Sequence, residues 1–438
     1  MNGFRANGLT HFEKWSRVNQ TLNKHRIAIL ALQETHLDQG RIDELKFAFG
    51  KKMEILYSPD PVNPRASAGV AIVINKSLIA PRKITTSELK AGRALLLKVE
   101  WLDNETTSIL NVYAPNDRGA HQDFWKDIET TRRNRKIPAP NFVLRDFNVT
   151  EDPIDRMPPR LDDQNAIEAL RDTRLAWGVA DAWRTTFPEN KTFTYRANTA
   201  NGQIKSRLDR IYIARHLIPL TYDWKLTSSS VPTDHWLVAV KYAPKEAPQI
   251  GRGRWTLPLT LTKDKNFMND VVLTGITLQQ KLERLHRLPA ERTQIHPQQL
   301  WETFKENIKD LAKQRMKTKN YRINARIDAL HKDLDELNNN PQAVTDNGIR
   351  RNESILYNEI KYLEGKYAQN KKDLMNASLA YHGEHLGGIW SATSKERKPR
   401  DYIRRLKLPN SDPPQYERDS YRMAELAREY HASLQTQI

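Results

Sequence analysis

Apolar positions change their period once along this chain. In the first part they gather in short runs, at Ile27 to Leu32, Gly69 to Ile74, Arg93 to Val99, Ser108 to Val112, Asn141 to Leu144, Leu208 to Ile213 and Leu237 to Val240. Each run is bounded by polar or turn residues and reads as a strand. Ahead of them, Thr10 with Glu13 three residues on has the form of a capping box, and Phe12, Trp15, Val18 and Leu22 follow at helical spacing. Many short strands with few helices over residues 1–243 predict an α+β unit, a two-sheet α/β sandwich with covering helices.

Residues 244–254 carry prolines and glycines without periodicity and read as a linker. Beyond them, residues 255–438 form a basic region of helical pattern. Trp301, Phe304, Ile308 and Leu311 make one stripe, which Ile323, Ile327, Leu330, Leu334 and Leu337 continue. Asn338-Asn339-Asn340-Pro341 stops that helix, and Ile355, Leu356, Ile360, Leu363 and Tyr367 begin another. The pair predicts a helical hairpin at about 300–375. Ser391 to Arg400 reads as a basic, flexible stretch, and a last helix covers about Ser420 to Leu434.

Composition narrows the partners. The chain has 438 residues, too many for one ordinary domain, and a net charge of +17. That excess favours an anionic partner, nucleic acid first and an acidic membrane second, with solubility as the bland alternative. The absence of cysteine excludes disulfides, zinc fingers and thiol catalysis, and makes an intracellular location the default. No apolar run approaches the ~20 residues of a membrane span, so no spanning segment is expected, and of the two anionic partners DNA rather than a membrane is the expectation. Met1 to Leu9 lacks the apolar core of a secretory signal.

Candidate chemistry lies in five clusters at strand ends. They are Gln33-Glu34-Thr35-His36, Asn111-Val112-Tyr113-Ala114-Pro115-Asn116, Asp146-Phe147-Asn148, Ser206-Arg207-Leu208-Asp209-Arg210-Ile211-Tyr212-Ile213 and Thr233-Asp234-His235. Each alone is ordinary: an Asp-x-Asn is usually a turn, and an Asp-His pair is usually solvated or core. The ordered set has a chemical logic. Hydrolysis of a phosphodiester develops negative charge on oxygen, which a hard cation held by carboxylates and a donor histidine can stabilise while a carboxylate activates water. An aspartate hydrogen-bonded to that histidine raises its pKa.

In these clusters, and in Ser67-Ala68-Gly69-Val70-Ala71-Ile72-Val73-Ile74, the chain resembles the endonuclease/exonuclease/phosphatase (DNase I-like) superfamily, and within it the endonuclease domain of LINE-type non-LTR retrotransposons. The resemblance covers residues 1–243. It implies a divalent-metal-dependent endonuclease that nicks one DNA strand, with Mg2+ or Mn2+ as cofactor and a nuclear location. It implies Glu34 as metal ligand, with Asp234 and Asn7 beside it. Asp146 would orient or deprotonate the attacking water, Asn148 hold a phosphate oxygen and Tyr113 bond the phosphate. His235 would contact the scissile phosphate, with Asp209 setting its tautomer. Thr194 matches a substrate-side hydroxyl.

Two departures accompany the resemblance. The family opens with an apolar strand ending in a metal-side asparagine; here that position falls at Arg5, so either the first strand is shortened or Asn7 serves instead. Arg145 stands where glycine usually precedes the aspartate, so its side chain would either contact a phosphate, as a candidate substrate residue, or crowd it. Gly251-Arg252-Gly253-Arg254-Trp255 and the basic helices resemble, loosely, the connector that precedes a reverse transcriptase. Leu161-Asp162-Asp163 lacks the context of polymerase aspartates, so the chain reads as a fragment or degraded copy of a longer element. The basic helices would bind DNA, or RNA, through backbone charge, or be a solvated face. Ser394 to Arg400 has the look of a nuclear-import patch. Two other functions stay open: a phosphatase of the same superfamily, and a catalytically impaired nucleic-acid-binding remnant.

Overall fold

The structure, a computed structural model, describes residues 10–79, 84–100, 106–117, 119–199, 202–228, 231, 233–243, 255, 257, 261–262, 264–288, 296–340, 342, 346–382, 395–398, 403 and 405–436. Asn7, the linker 244–254 and most of 391–400 therefore lie outside the described residues. Contacts divide the chain into two units: Met1–Ala247 with Asp335–Ile355 and His382–Arg404, and Pro248–Leu334 with Leu356–Tyr381 and Arg405–Ile438.

In the first unit the chain runs α1 (His11–Lys24), β1 (Ile29–Gln33), α2 (Gln39–Phe49), β2 (Met53–Ser58), β3 (Val70–Asn75), β4 (Ile84–Lys90), β5 (Ala94–Glu100), β6 (Thr106–Tyr113), α3 (His121–Asn134) and β7 (Phe142–Asp146). It continues through β8 (Arg156–Met157), α4 (Gln164–Ala176), β9 (Val179–Asp181), α5 (Ala182–Thr186), β10 (Tyr195–Thr199), β11 (Gly202–Ser206), β12 (Asp209–Ala214), β13 (Thr221–Ser228) and β14 (Trp236–Tyr242). Three strands pair in the order β1-β3-β2, and six in the order β4-β5-β6-β7-β12-β9. Among the described ladders only β6 and β7 run parallel, with α3 as their crossover.

Period-two side chains decide how these sheets stack. On β5, Ala94 and Leu96 face a core shared with Phe124, Trp125 and Ile128 of α3 and Ile167 and Leu170 of α4. The alternate residues Leu95, Leu97 and Val99 face Val70, Ile72 and Ile74 of β3. Ala71 and Val73 on the other face of β3 meet Trp15, Val18 and Leu22 of α1 and Ile42, Leu45 and Phe49 of α2. The layers are thus helix, sheet, sheet, helix, and all six residues of β3 are buried because both its faces are covered. The expected two-sheet α/β sandwich is what the first unit forms.

The amino end of α1 carries the capping box predicted for it. The Glu13 amide donates to Thr10 Oγ1 at 3.2 Å, and the Thr10 amide donates to Glu13 Oε2 at 2.9 Å. Thr10→Ala removes one half of that exchange and is expected to cost about 1 kcal/mol in urea denaturation. A loss below a few tenths of that would show the box to be dispensable.

Helices α6 (Lys265–Arg287), α7 (Pro297–Asn339), α8 (Asn347–His382) and α9 (Ser420–Thr436) make the carboxy-terminal part mostly helical, with a short β15–β16 ladder, Leu406–Lys407 on Tyr416–Glu417. Within the second unit, Arg326 and Glu359 pair at 3.0 Å across α7 and α8. The described residues 395–398 are tied down rather than loose. Arg397 donates its amide to Lys51 O and its guanidinium to Asn23 Oδ1, and Glu396 pairs with Lys76.

Candidate active site

Strand pairing brings the separated clusters into one row. Glu34 follows the last residue of β1 and has a positive φ of 51°. Behind it, Gly69 has a φ of 84°, and a Cβ at that position would lie 2.9 Å from Thr35 Oγ1, so the loop bearing Glu34 can pack this closely only against glycine. The Thr35 amide donates to Gly69 O at 3.1 Å. Tyr113 ends β6, and its hydroxyl donates to Glu34 Oε1 at 2.5 Å. In the parallel ladder Tyr113 stands level with Asp146, and in the antiparallel ladder Asp146 stands level with Asp209.

His235 closes the row. Its Nδ1 lies 2.7 Å from Asp209 Oδ2, and its Nε2 lies 3.9 Å from Asp146 Oδ2. Burial opposes the imidazolium, but the Asp209 charge and hydrogen bond, with Asp146 and Asp234 nearby, outweigh it and raise the His235 pKa to about 9. At neutral pH the ring is therefore charged, with Nδ1–H on Asp209 and Nε2–H available as a donor. Tyr113 titrates well above the ordinary phenol range, because of burial and then of its bond to Glu34, and so it stays a donor.

Other expected site residues occupy more restricted positions. Asn148, with a φ of 48°, uses Nδ2 to donate to Ala114 O at 3.1 Å and to Asn116 Oδ1 at 2.7 Å. Both amide hydrogens are engaged, so holding a phosphate oxygen would require Asn116 to yield. Thr194 does not present its hydroxyl on the substrate side as the resemblance implied. It is 1% exposed, and its Oγ1 accepts the amides of Leu208 and Asp209, each at 3.0 Å. It fixes the backbone that carries Asp209. The Arg145 backbone pairs in β7 opposite Arg210, while its side chain lies outside the described residues. Asp162 and Asp163 are structural: Asp162 accepts from Thr150 and Arg156, and Asp163 caps α4.

Four contacts of the site carry no signal in the sequence, although Gln33, Asn111 and Arg207 themselves lie in the clusters. Gln33 Nε2 donates to Asn111 Oδ1 at 2.7 Å, and Asn111 Nδ2 donates to Leu32 O and Ala71 O, a buried clasp behind Glu34. The Arg93 guanidinium lies 5.3 Å from the centre of the Tyr113 ring. Tyr195 pairs with His235 as an isolated bridge, their rings 4.9 Å apart. Arg207 donates to both oxygens of Asp155, at 2.8 and 2.7 Å, and to Asp181 at 2.6 Å, clamping the segment before Asp209. Polar motifs of this kind become legible only when tertiary pairing supplies their partners.

A cation would meet hard oxygen donors here. Asp146, Asp209 and His235 place ligand atoms within 4.8 Å of one another. His235 is the poorest ligand of the three, since Asp209 holds its Nδ1 and the charged form is favoured. Glu34 spends Oε1 on Tyr113 and keeps Oε2. A carboxylate-rich donor set suits magnesium or manganese better than zinc.

Several known proteins are similar to this chain. A curated relative, the Transposon TX1 uncharacterized 149 kDa protein of Xenopus laevis, is 24% identical over 316 residues, which are 70% of this chain and 23% of the relative. The chain thus spans about a quarter of that relative's length. Similar solved structures include the endonuclease domain of TRAS1, a telomere-specific non-LTR retrotransposon, at 13% identity and a TM-score of 0.39 over 52% of this chain and 92% of that one. The AP endonuclease LMAP of Leishmania major matches at 16% identity and a TM-score of 0.44, over 53% and 84%. The 3'-5' exonuclease NExo of Neisseria meningitidis matches at 17% and 0.42, over 52% and 94%. The family model described as Endonuclease/Exonuclease/phosphatase matches residues 8–235, over half of the chain and the whole row from Glu34 to His235, so the chain belongs to that family.

Proposed function

We propose that this protein is a divalent-metal-dependent endonuclease that nicks one strand of DNA, and that it derives from a retrotransposon. The observation that carries the reading is the row Glu34, Tyr113, Asp146, Asp209, His235, which sets a carboxylate, a phenol donor and a charged histidine side by side. The transposon relative and the excess of positive charge support the choice of DNA over a small phosphoester.

Each residue then has a chemical task. Glu34, with Asp234 and Asn7 in support, would hold Mg2+ or Mn2+. Such an ion, when bound, would supply Lewis-acid stabilisation of charge on the phosphate oxygens. Asp146 accepts the proton of the attacking water as the new P–O bond forms and the ester P–O bond breaks, the leaving oxygen taking its proton from solvent water. His235 donates from Nε2 to a non-bridging oxygen, and Tyr113 donates to the same phosphate once it releases Glu34. Asp209 keeps His235 protonated and oriented.

Incubating supercoiled plasmid with the protein and magnesium tests this. Nicked circles are expected to accumulate, and Glu34→Ala and His235→Ala to slow that by about 10²–10⁴-fold each. Binding without nicking would mark a remnant, and phosphate release from small esters a phosphatase; either result sinks the proposal.

A further inference from the structure

We infer that Glu353, far outside the family-matched segment, is a positioning residue of the active site: it holds the β10–β11 hairpin whose first residue packs on His235. The inference rests on the nuclease reading above only for its kinetic arm. It begins with a pairing problem. In the β10–β11 ladder Arg196 and Lys205 stand directly opposite one another. Like charges in that relation repel, and here both are buried, Arg196 at 9% and Lys205 at 2% exposure. Burial, with Arg196 and Arg350 nearby, pushes the Lys205 ammonium down to about 7.

One carboxylate answers both cations. Glu353, 1% exposed, accepts from Arg196 through Oε1 and from Lys205 through Oε2. Two further contacts seat the same segment. The Lys191 amide donates to Asn339 Oδ1 at 2.9 Å, and Ile349 packs on Met157 and Phe193. Residues Asp335–Ile355 accordingly group with the nuclease fold rather than with the remainder of the long helices.

The hairpin so held is a wall of the site. Arg196 faces Glu353, while the preceding Tyr195 lays its ring against His235. Thr194, one residue earlier, sets Asp209. Alternation along a strand makes these opposite sides of one short element. Loosening the Glu353 side releases the register of the Tyr195 side, and with it the environment of the imidazole.

The test uses the full chain labelled at the histidine ring carbons, with the His235 NMR signal assigned through His235→Asn. Glu353→Gln is expected to move that signal at a fixed pH. It is expected to lower the kcat for nicking about tenfold well below its Tm, with KM changed less. Combined with Tyr195→Ala it should add little further loss, because both act through one element. A lower Tm with an unmoved His235 signal and unchanged kcat would make the contact merely structural and overturn the inference. If Glu353→Gln does not fold, Glu353→Asp is read by the same two measurements. Should the wild type not nick, the nuclease reading fails by itself, and the His235 signal still decides the role of Glu353.

Discussion

Asp209→Asn is expected to lower the rate of metal-supported nicking by about 10²–10⁴-fold at neutral pH, with DNA binding little changed. The carboxylate does two things that asparagine cannot. It supplies the charge that, against burial, raises His235 to about 9, and it accepts from Nδ1 at 2.7 Å so that Nε2 carries the donating proton. Wild-type activity should therefore fall on an alkaline limb near pH 9. In the variant that limb should move down toward the ordinary imidazole value of about 6.5. Stability follows the same sign. A histidine whose folded pKa is raised contributes stability that is complete below about pH 6.5 and lost as pH climbs through about 9. Denaturant titrations across that window should show a decline in the wild type that Asp209→Asn lacks. Identical pH–rate limbs in the two proteins would remove His235 from its role as the charged donor.

The second large effect is on folding. Arg207→Met should destabilise the first unit by about 3–5 kcal/mol, read as a lower urea midpoint. Arg207 is buried and joins Asp155, Asp181 and the indole of Trp183, while Arg184 also reaches Asp155. Burial raises the Asp155 pKa, but Arg207 prevails and holds it below the usual carboxylate range. Removing the guanidinium strands a buried carboxylate among imperfect partners. The same shift predicts that this contribution is present above about pH 4 and lost as acid protonates Asp155, since its folded pKa is depressed. A cost below about 1 kcal/mol would mean that Arg184 compensates alone.

The parts of this fold readable in advance were those whose side chains carry their own explanation. β1, β3, β5, β6, β7, β12 and β14 are apolar on at least one face, so their runs stand out between polar turns. Their ends then place Glu34, Tyr113, Asp146, Asp209 and His235, because a residue that ends a buried strand is held at the rim of the sheet. β4, with Ile-Thr-Thr-Ser-Glu-Leu-Lys, is a polar edge strand, and β10 and β11 carry Arg196 and Lys205 where a core residue would announce a strand. Those elements exist because of partners supplied from elsewhere in the chain. Thr194 shows the same limit at the scale of one atom, since a threonine before a tyrosine does not disclose that two amides 14 and 15 residues on will claim its oxygen.

The β6–β7 pairing has a kinetic consequence. Parallel strands cannot close through a tight turn, so Tyr113 and Asp146 meet only after α3 has formed and crossed over. Glu34 must come from 79 residues away to meet Tyr113, and His235 from 26 away to meet Asp209. Loop closure on that scale is slow compared with winding a helix such as α7 or α8, whose backbone bonds are all local. The row from Glu34 to His235 is therefore among the last features a refolding chain assembles. A molecule caught short of the final closure would already be helical and basic, yet would lack the row from Glu34 to His235.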